Sequence, residues 1–109
     1  MPKFPNKIKI AGHVYKVLYP YRFKEDKGLH GQAEHVTLEI RLSDRDGGGC
    51  EYHKSRTIEC FLHELLHCIL SYYGDGKYNE EAAVECTANG LLQVLRDNPE
   101  ILEIFKDLD

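Results

Sequence analysis

Residues 56–73, RTIECFLHELLHCILSYY, decide the fold. The run contains neither Pro nor Gly, follows a Ser at position 55 that can cap a helix, and stops at Gly74. That punctuation predicts a helix over 56–73. Within it stands His63-Glu64-Leu65-Leu66-His67, an HExxH pattern. At about 100° and 1.5 Å per residue, the two histidines lie roughly 40° apart on one face and about 6 Å apart along the axis. Two imidazoles so placed can bind one zinc ion. Glu64 points some 60–100° away from them, too far round to join as a ligand and well placed to take a proton from water on the open side. Cys60, Phe61, Leu62, Leu65, Leu66, Cys68 and Ile69 around the motif are all uncharged. A helix with such flanks is buried, and burying three polar groups without a partner is costly, so the pattern points to a metal.

Downstream, Asn79 can cap a second helix from Glu80 to about Arg96, with acidic residues in its first turn as the helix dipole favours. Its expected core stripe is Val84, Ala88, Leu91, Leu92 and Leu95. Zinc held by two histidines needs a third protein ligand. Glu81 and Glu85 both border the stripe, so angle alone does not choose between them. The dipole already accounts for Glu80 and Glu81 in the first turn, and Glu80 is expected to be solvated. Glu85 sits on firmer backbone in the second turn. Asn89, one turn on, could hydrogen-bond a liganding histidine. Glu85 is the expected third ligand. Asn98-Pro99 reads as the cap and first residue of a short third helix over 100–106.

Working back, the first half reads as strands. Ile8 and Ile10 alternate with lysines, Ala11-Gly12 is a turn, and residues 13–19 continue as a β-forming run ended by Pro20. Residues 24–32 are polar and read as a loop. Residues 34–42 alternate strictly, with Val36, Leu38, Ile40 and Leu42 against His35, Thr37, Glu39 and Arg41, which predicts one half-buried strand. Ser43 to Gly49 is a turn-rich connection, and Gly47-Gly48-Gly49 lacks the Lys-Ser/Thr that would make it a phosphate loop. Strands followed by helices give an α+β class. The expected domain is a single one over 1–109, mainly β over 1–49 and mainly α over 50–109. A small antiparallel or mixed sheet should pack on the HExxH helix, the ligand-bearing helix and a short C-terminal helix.

With 109 residues and 12.6 kDa, one domain is the expectation. Hydrophobic residues at 42% and charged ones at 29% exclude wholesale disorder. No apolar run reaches a membrane span and the opening residues carry no secretory h-region, so a cytoplasmic protein without a membrane partner is expected. The net charge of −4 argues against nucleic acid as partner. Residues 1–27 carry seven Lys/Arg against two Asp/Glu, and the remainder seven against sixteen. The basic arm reads as lysines protecting short edge strands. In a reducing compartment Cys50, Cys60, Cys68 and Cys86 should be free thiols. His13, His30, His35 and His53 read as surface or strand residues, and His35, on the polar face of the alternating strand, would approach the cleft if that face turns inward. Cys60, on the face of His63 and His67, reads as a small core residue.

His63-Glu64-Leu65-Leu66-His67, followed by Glu85-Cys86-Thr87-Ala88-Asn89, resembles the gluzincin metallopeptidases, in which a glutamate on the next helix completes the site and an Asp or Asn follows four residues on. The chain's length resembles that of the minigluzincins, and the Glu-x-x-Ala-Asn core that of small metallopeptidases of phages and mobile elements. The resemblance covers residues 55–98. It implies a zinc-dependent peptidase that hydrolyses a peptide or protein substrate by metal-activated water. One Zn²⁺ per chain would be held by His63, His67 and Glu85, with Glu64 as general base. It also implies a strand beside the HExxH helix whose edge pairs with extended substrate, here residues 34–42. Tyr72, Tyr73, Tyr78 and His53 are the candidates for steadying the oxyanion, none of them placed by spacing. The rival expectation is a catalytically latent metal-binding protein that works by contact alone.

Overall fold

The computed structural model describes residues 2–24, 28–74, 76, 79–106 and 108. Their order is β1 (Lys7–Ile10), β2 (His13–Leu18), β3 (Gly31–Glu34), β4 (Glu39–Leu42), α1 (Lys54–Tyr73), α2 (Glu80–Asp97) and a 3₁₀ helix over Pro99–Phe105. The class is α+β, with a four-stranded mixed sheet ordered β1-β2-β4-β3. β2 and β4 run parallel, while β1 and β3 lie antiparallel on the two edges.

The first hairpin follows its sequence. Ile10 faces His13 across a two-residue turn in which Ala11 (φ 50°) and Gly12 (φ 86°) are both left-handed. That is the backbone a twisted hairpin prefers. Ile8, Ile10 and Tyr15 are fully buried on the face that meets the helices, and Lys7, Lys9 and Lys16 stay in water.

Three strand-side expectations change. The alternating run 34–42 is a hairpin rather than one strand: residues 35–38 turn the chain, with Leu38 at φ 57° and Val36 almost fully exposed. Alternation reads the same through a short turn as along a strand, and here tertiary bonding decides, because the Leu38 carbonyl accepts from Lys16 N–H on β2 (2.9 Å). The polar stretch 24–32, expected as loop, supplies the start of β3 at Gly31. The edge strand beside α1 is therefore β3, not residues 34–42.

α1 buries Thr57, Ile58, Cys60, Phe61, Glu64, Leu65, Cys68 and Ile69, a stripe of steps of three and four. Its cap is His53 rather than Ser55, with Nδ1 accepting from Ser55 N–H at 3.1 Å. Asn79 caps α2 as expected, its Oδ1 accepting from Ala82 N–H (2.8 Å). The third helix is 3₁₀ rather than α, and Asn98 gives it no side-chain cap.

Of the core stripe expected on α2, Leu91 packs against the core and the other four residues do not. Val84 is 57% and Leu92 66% exposed, and Ala88 and Leu95 are exposed too. Cys86, Gly90 and Val94 face inward instead. The reason is distance: a Cβ on Gly90 would lie 2.3 Å from Ile69 Cγ2, so only glycine lets α2 come this close to α1.

The same helix seals one sheet edge. Asn98, 1% exposed, accepts from Lys9 N–H (2.7 Å) and donates to the carbonyls of Lys9 and Val94 (both 2.8 Å). Gln93 accepts from Ala11 N–H and donates to Lys9 O, each at 2.9 Å. All four cysteines are free, and no helix among the described residues is long and apolar enough to cross a membrane.

Candidate metal centre

His63 and His67 stand one turn apart on the exposed rim of α1, with their Nε2 atoms 3.1 Å apart. Zinc binds imidazole nitrogen at about 2.0–2.1 Å, so one ion could touch both at an angle of roughly 98°. This donor pair fits zinc. Glu64 is turned to the inner side of the helix and is 7% exposed.

All three line one cavity of about 1000 Å³. Its opposite wall is the β3 edge, at Gly31, Gln32 and Ala33, followed by His35. Gly31 makes that approach possible: a Cβ there would sit 2.5 Å from Cys60 Sγ and 3.2 Å from Glu64 Cγ. Ser43 N–H donates to His30 O (2.8 Å), which makes 30/43 a hydrogen-bonded antiparallel pair. Alternation in that ladder leaves the N–H and C=O groups of Gly31 and Ala33 directed off the free edge, into the cavity they line.

The third carboxylate is where sequence and structure part. Of the α2 residues on the cavity wall, Glu80 alone carries a carboxylate, beside Asn79, Ala82, Ala83 and Cys86. Glu80, expected in solvent, is exposed and yet on this wall. Glu85 is not brought to the histidines; with Tyr73, Ala82, Cys86 and Asn89 it lines a separate hollow of about 220 Å³. Asn89 is likewise parted from the histidine it was expected to orient. Among the described residues no three His, Cys, Asp or Glu side chains converge as a metal-binding group. The residues present thus supply two fitting nitrogens and, on the wall, a carboxylate that has not closed on them.

Both thiols beside the motif are buried. Burial first, and then the charge of Glu64, pushes Cys60 and Cys68 up to about 12. Cys60 is the core residue expected. His35 is the residue that sequence reasoning undervalued. Its Nδ1 is 2.8 Å from the hydroxyl of the fully buried Tyr15, which is itself 2.6 Å from Tyr72 OH. Burial, then the bond to Tyr72, holds the Tyr15 phenol well above its usual range, so it keeps its proton. The signal was the alternation itself, which set His35 on the polar face of a strand. The hairpin turns that residue toward the cavity.

The oxyanion candidates among the described residues have partners within the fold. Tyr72 belongs to this network, Tyr73 donates to Gln93 (2.9 Å), His53 caps α1, and Tyr78 lies outside the described residues. Of the other histidines, His30 stacks on Tyr52 with ring centres 3.7 Å apart and its Nε2 unpartnered among the described residues. Burial, then Arg56, pulls its pKa down. His13 stacks on Tyr72.

No protein-family model, curated protein or solved structure matches the chain.

Proposed function

We propose that this chain is a zinc-dependent peptidase of gluzincin type. The observation that carries the reading is the His63–His67 nitrogen pair, 3.1 Å apart, opening on a cavity shared with buried Glu64 and a free strand edge. When bound, zinc supplies Lewis-acid polarisation of the scissile carbonyl and a lowered pKa for the attacking water. His63 and His67 hold it. Glu64 accepts the proton of the attacking water and passes it to the leaving amine, the two halves of general acid–base work. Gly31 and Ala33 offer their outward N–H and C=O groups to an extended peptide, which fixes the scissile bond against the histidines.

The third donor is a carboxylate from the start of α2. Glu80 has the better claim in this geometry because it is on the wall. Glu85 has the claim of the motif. It sits one residue, about 100° of helix, from the wall residue Cys86. A second reading, a latent protein whose metal is structural, draws on the same observation that no third donor has closed on the pair.

Glu64→Gln separates the two readings, since structure needs ligands and only catalysis needs the base. The variant should fold, keep about one zinc per chain by elemental analysis, and lose at least ~100-fold of wild-type hydrolysis across a mixed peptide library. Zinc-loaded wild type that cleaves no peptide between pH 5 and 9 hands the case to the latent reading.

A further inference from the structure

From Val84 onward, one turn beyond Glu81, the outward face of α2 is apolar and nothing among the described residues covers it. With Val84 set at 0°, Leu95 falls at about 20°, Ala88 at about 40° and Leu92 at about 80°. All four are exposed. The cavity-lining residues Ala82, Cys86, Ala83 and Glu80 lie at about 160°, 200°, 260° and 320°, so the stripe lies outside their sector and borders it at Glu80.

We propose that this stripe pairs, antiparallel and about a two-fold axis, with α2 of a second copy of the chain. The charges beside the stripe single out that partner and that direction. Glu85 and Arg96 lie at about 100° and 120°, on the same flank of the apolar face. Both are exposed, and Arg96 reaches its neighbour Asp97 at 3.4 Å. A two-fold axis perpendicular to paired helices preserves the flank and inverts the height. With the axis level with position 90, Ala88 meets Leu92 of the other copy and Val84 meets Leu95. Glu85, five residues before the centre, comes level with Arg96, six residues beyond it. The ion pair forms twice. A parallel pair, about a two-fold along the helices, would put each charge on the opposite flank from its copy and form no such ion pair. The paired stretch, 84–95, begins one turn beyond Glu80 and lies outside the sector of α2 that lines the cavity.

The stripe spans twelve residues, about 17 Å of helix, and buries less than the ~1,200 Å² of a tight complex, so association is reversible. Sedimentation velocity over about three decades of concentration around the micromolar range should show wild type moving from the 12.6 kDa monomer to twice that mass. Leu92→Lys, checked for folding by circular dichroism, should stay monomeric throughout. Glu85→Arg and Arg96→Glu should each weaken the dimer roughly tenfold, because each sets like charges together, and the double charge swap should restore it to within about threefold. A wild-type monomer at every concentration overturns the proposal and leaves the stripe to a different partner. A dimer indifferent to Leu92→Lys overturns the face, and a double swap that fails to rescue overturns the antiparallel arrangement.

Discussion

Replacing Glu80 and Glu85 by Gln, one at a time, tests which carboxylate completes the proposed metal site, and with it the rotational setting of α2. For Glu85 to reach the histidines, α2 would turn by about 100° about its own axis. The structure lets the cost be worked. Val94, fully buried, would move outward, and burying a Val is worth about 1.5–3 kcal/mol. Gly90 would leave its seat on Ile69, and a bulkier residue would meet that helix. Gln93 and Asn98 would be carried off the β1 edge, unmaking bonds to Lys9 and Ala11 that are worth about 1 kcal/mol each. Partial burial of Leu92 returns no more than the share lost with Val94. The turn thus costs several kcal/mol, against a carboxylate already on the wall at Glu80. Glu80→Gln should therefore weaken zinc binding by at least ~100-fold, about 2.7 kcal/mol, while Glu85→Gln stays within about threefold of wild type. Competition against a chromogenic chelator reads both. The opposite ranking refutes the reasoning, and α2 then carries Glu85 inward when zinc is bound.

Three further outcomes follow from the packing. Asn98→Ala strands the Lys9 N–H alone, since Gln93 still serves Lys9 O and the Asn98 backbone N–H still serves Val94 O; about 2 kcal/mol should be lost, roughly 9 °C in melting temperature for a chain of this size by calorimetry, and a shift under ~2 °C would refute the bond's role. Gly31→Ala drives a methyl into Cys60 and Glu64, so about 1–3 kcal/mol of stability should go by denaturant titration, with hydrolysis falling further than stability explains. Buried Asp44 accepts from Arg22, a bond that holds its carboxyl below the usual range. A depressed folded pKa contributes stability above the unfolded value of about 3.9 that is lost as pH falls through the folded one, so Arg22→Ala should move the acid-unfolding midpoint upward; an unchanged acid limb by circular dichroism would remove the pair from the account.

What could be read from sequence was what local periodicity and capping determine. α1 declares itself through its steps of three and four and its stop at Gly74, and His63, Glu64 and His67 come with it. The β1–β2 hairpin shows in Ala11-Gly12. Legibility failed where the deciding partner was distant. Leu38 takes a left-handed backbone because β2 bonds its carbonyl, and nothing in His35-Val36-Thr37-Leu38 announces a turn. On α2 the hydropathy pattern selected the larger residues Val84, Leu92 and Leu95, whereas close packing selected the smallest, Gly90. The choice of Glu85 as third donor leaned on that stripe, and the structure sets Glu85 in a different hollow from the histidines. Asn98 looked like a helix cap and is instead a clasp on a strand 89 residues away.

The two edges of the sheet explain why the candidate site lies where it does. β1 exposes an edge that α2 closes with side chains: Gln93 and Asn98 satisfy Lys9 and Ala11, and the protruding lysines discourage a further strand. β3 exposes an edge that no side chain closes among the described residues, and its glycine draws it against α1 at the level of Glu64. An open edge is ordinarily an aggregation hazard, tolerated when it is short or covered. This one is four residues long and recessed in a cavity, reachable by one extended chain rather than by a sheet. At its far end His35 is held by Tyr15, whose phenol burial keeps protonated, so the fold itself orients the ring. Under the proposed reaction, Tyr15→Phe should leave zinc content unchanged and reduce hydrolysis, because it frees the His35 ring while the His63–His67 pair stays in place. If His35→Ala and Tyr15→Phe both cleave like wild type with zinc retained, the network serves the core alone, and the strand edge and Glu64 carry substrate without it.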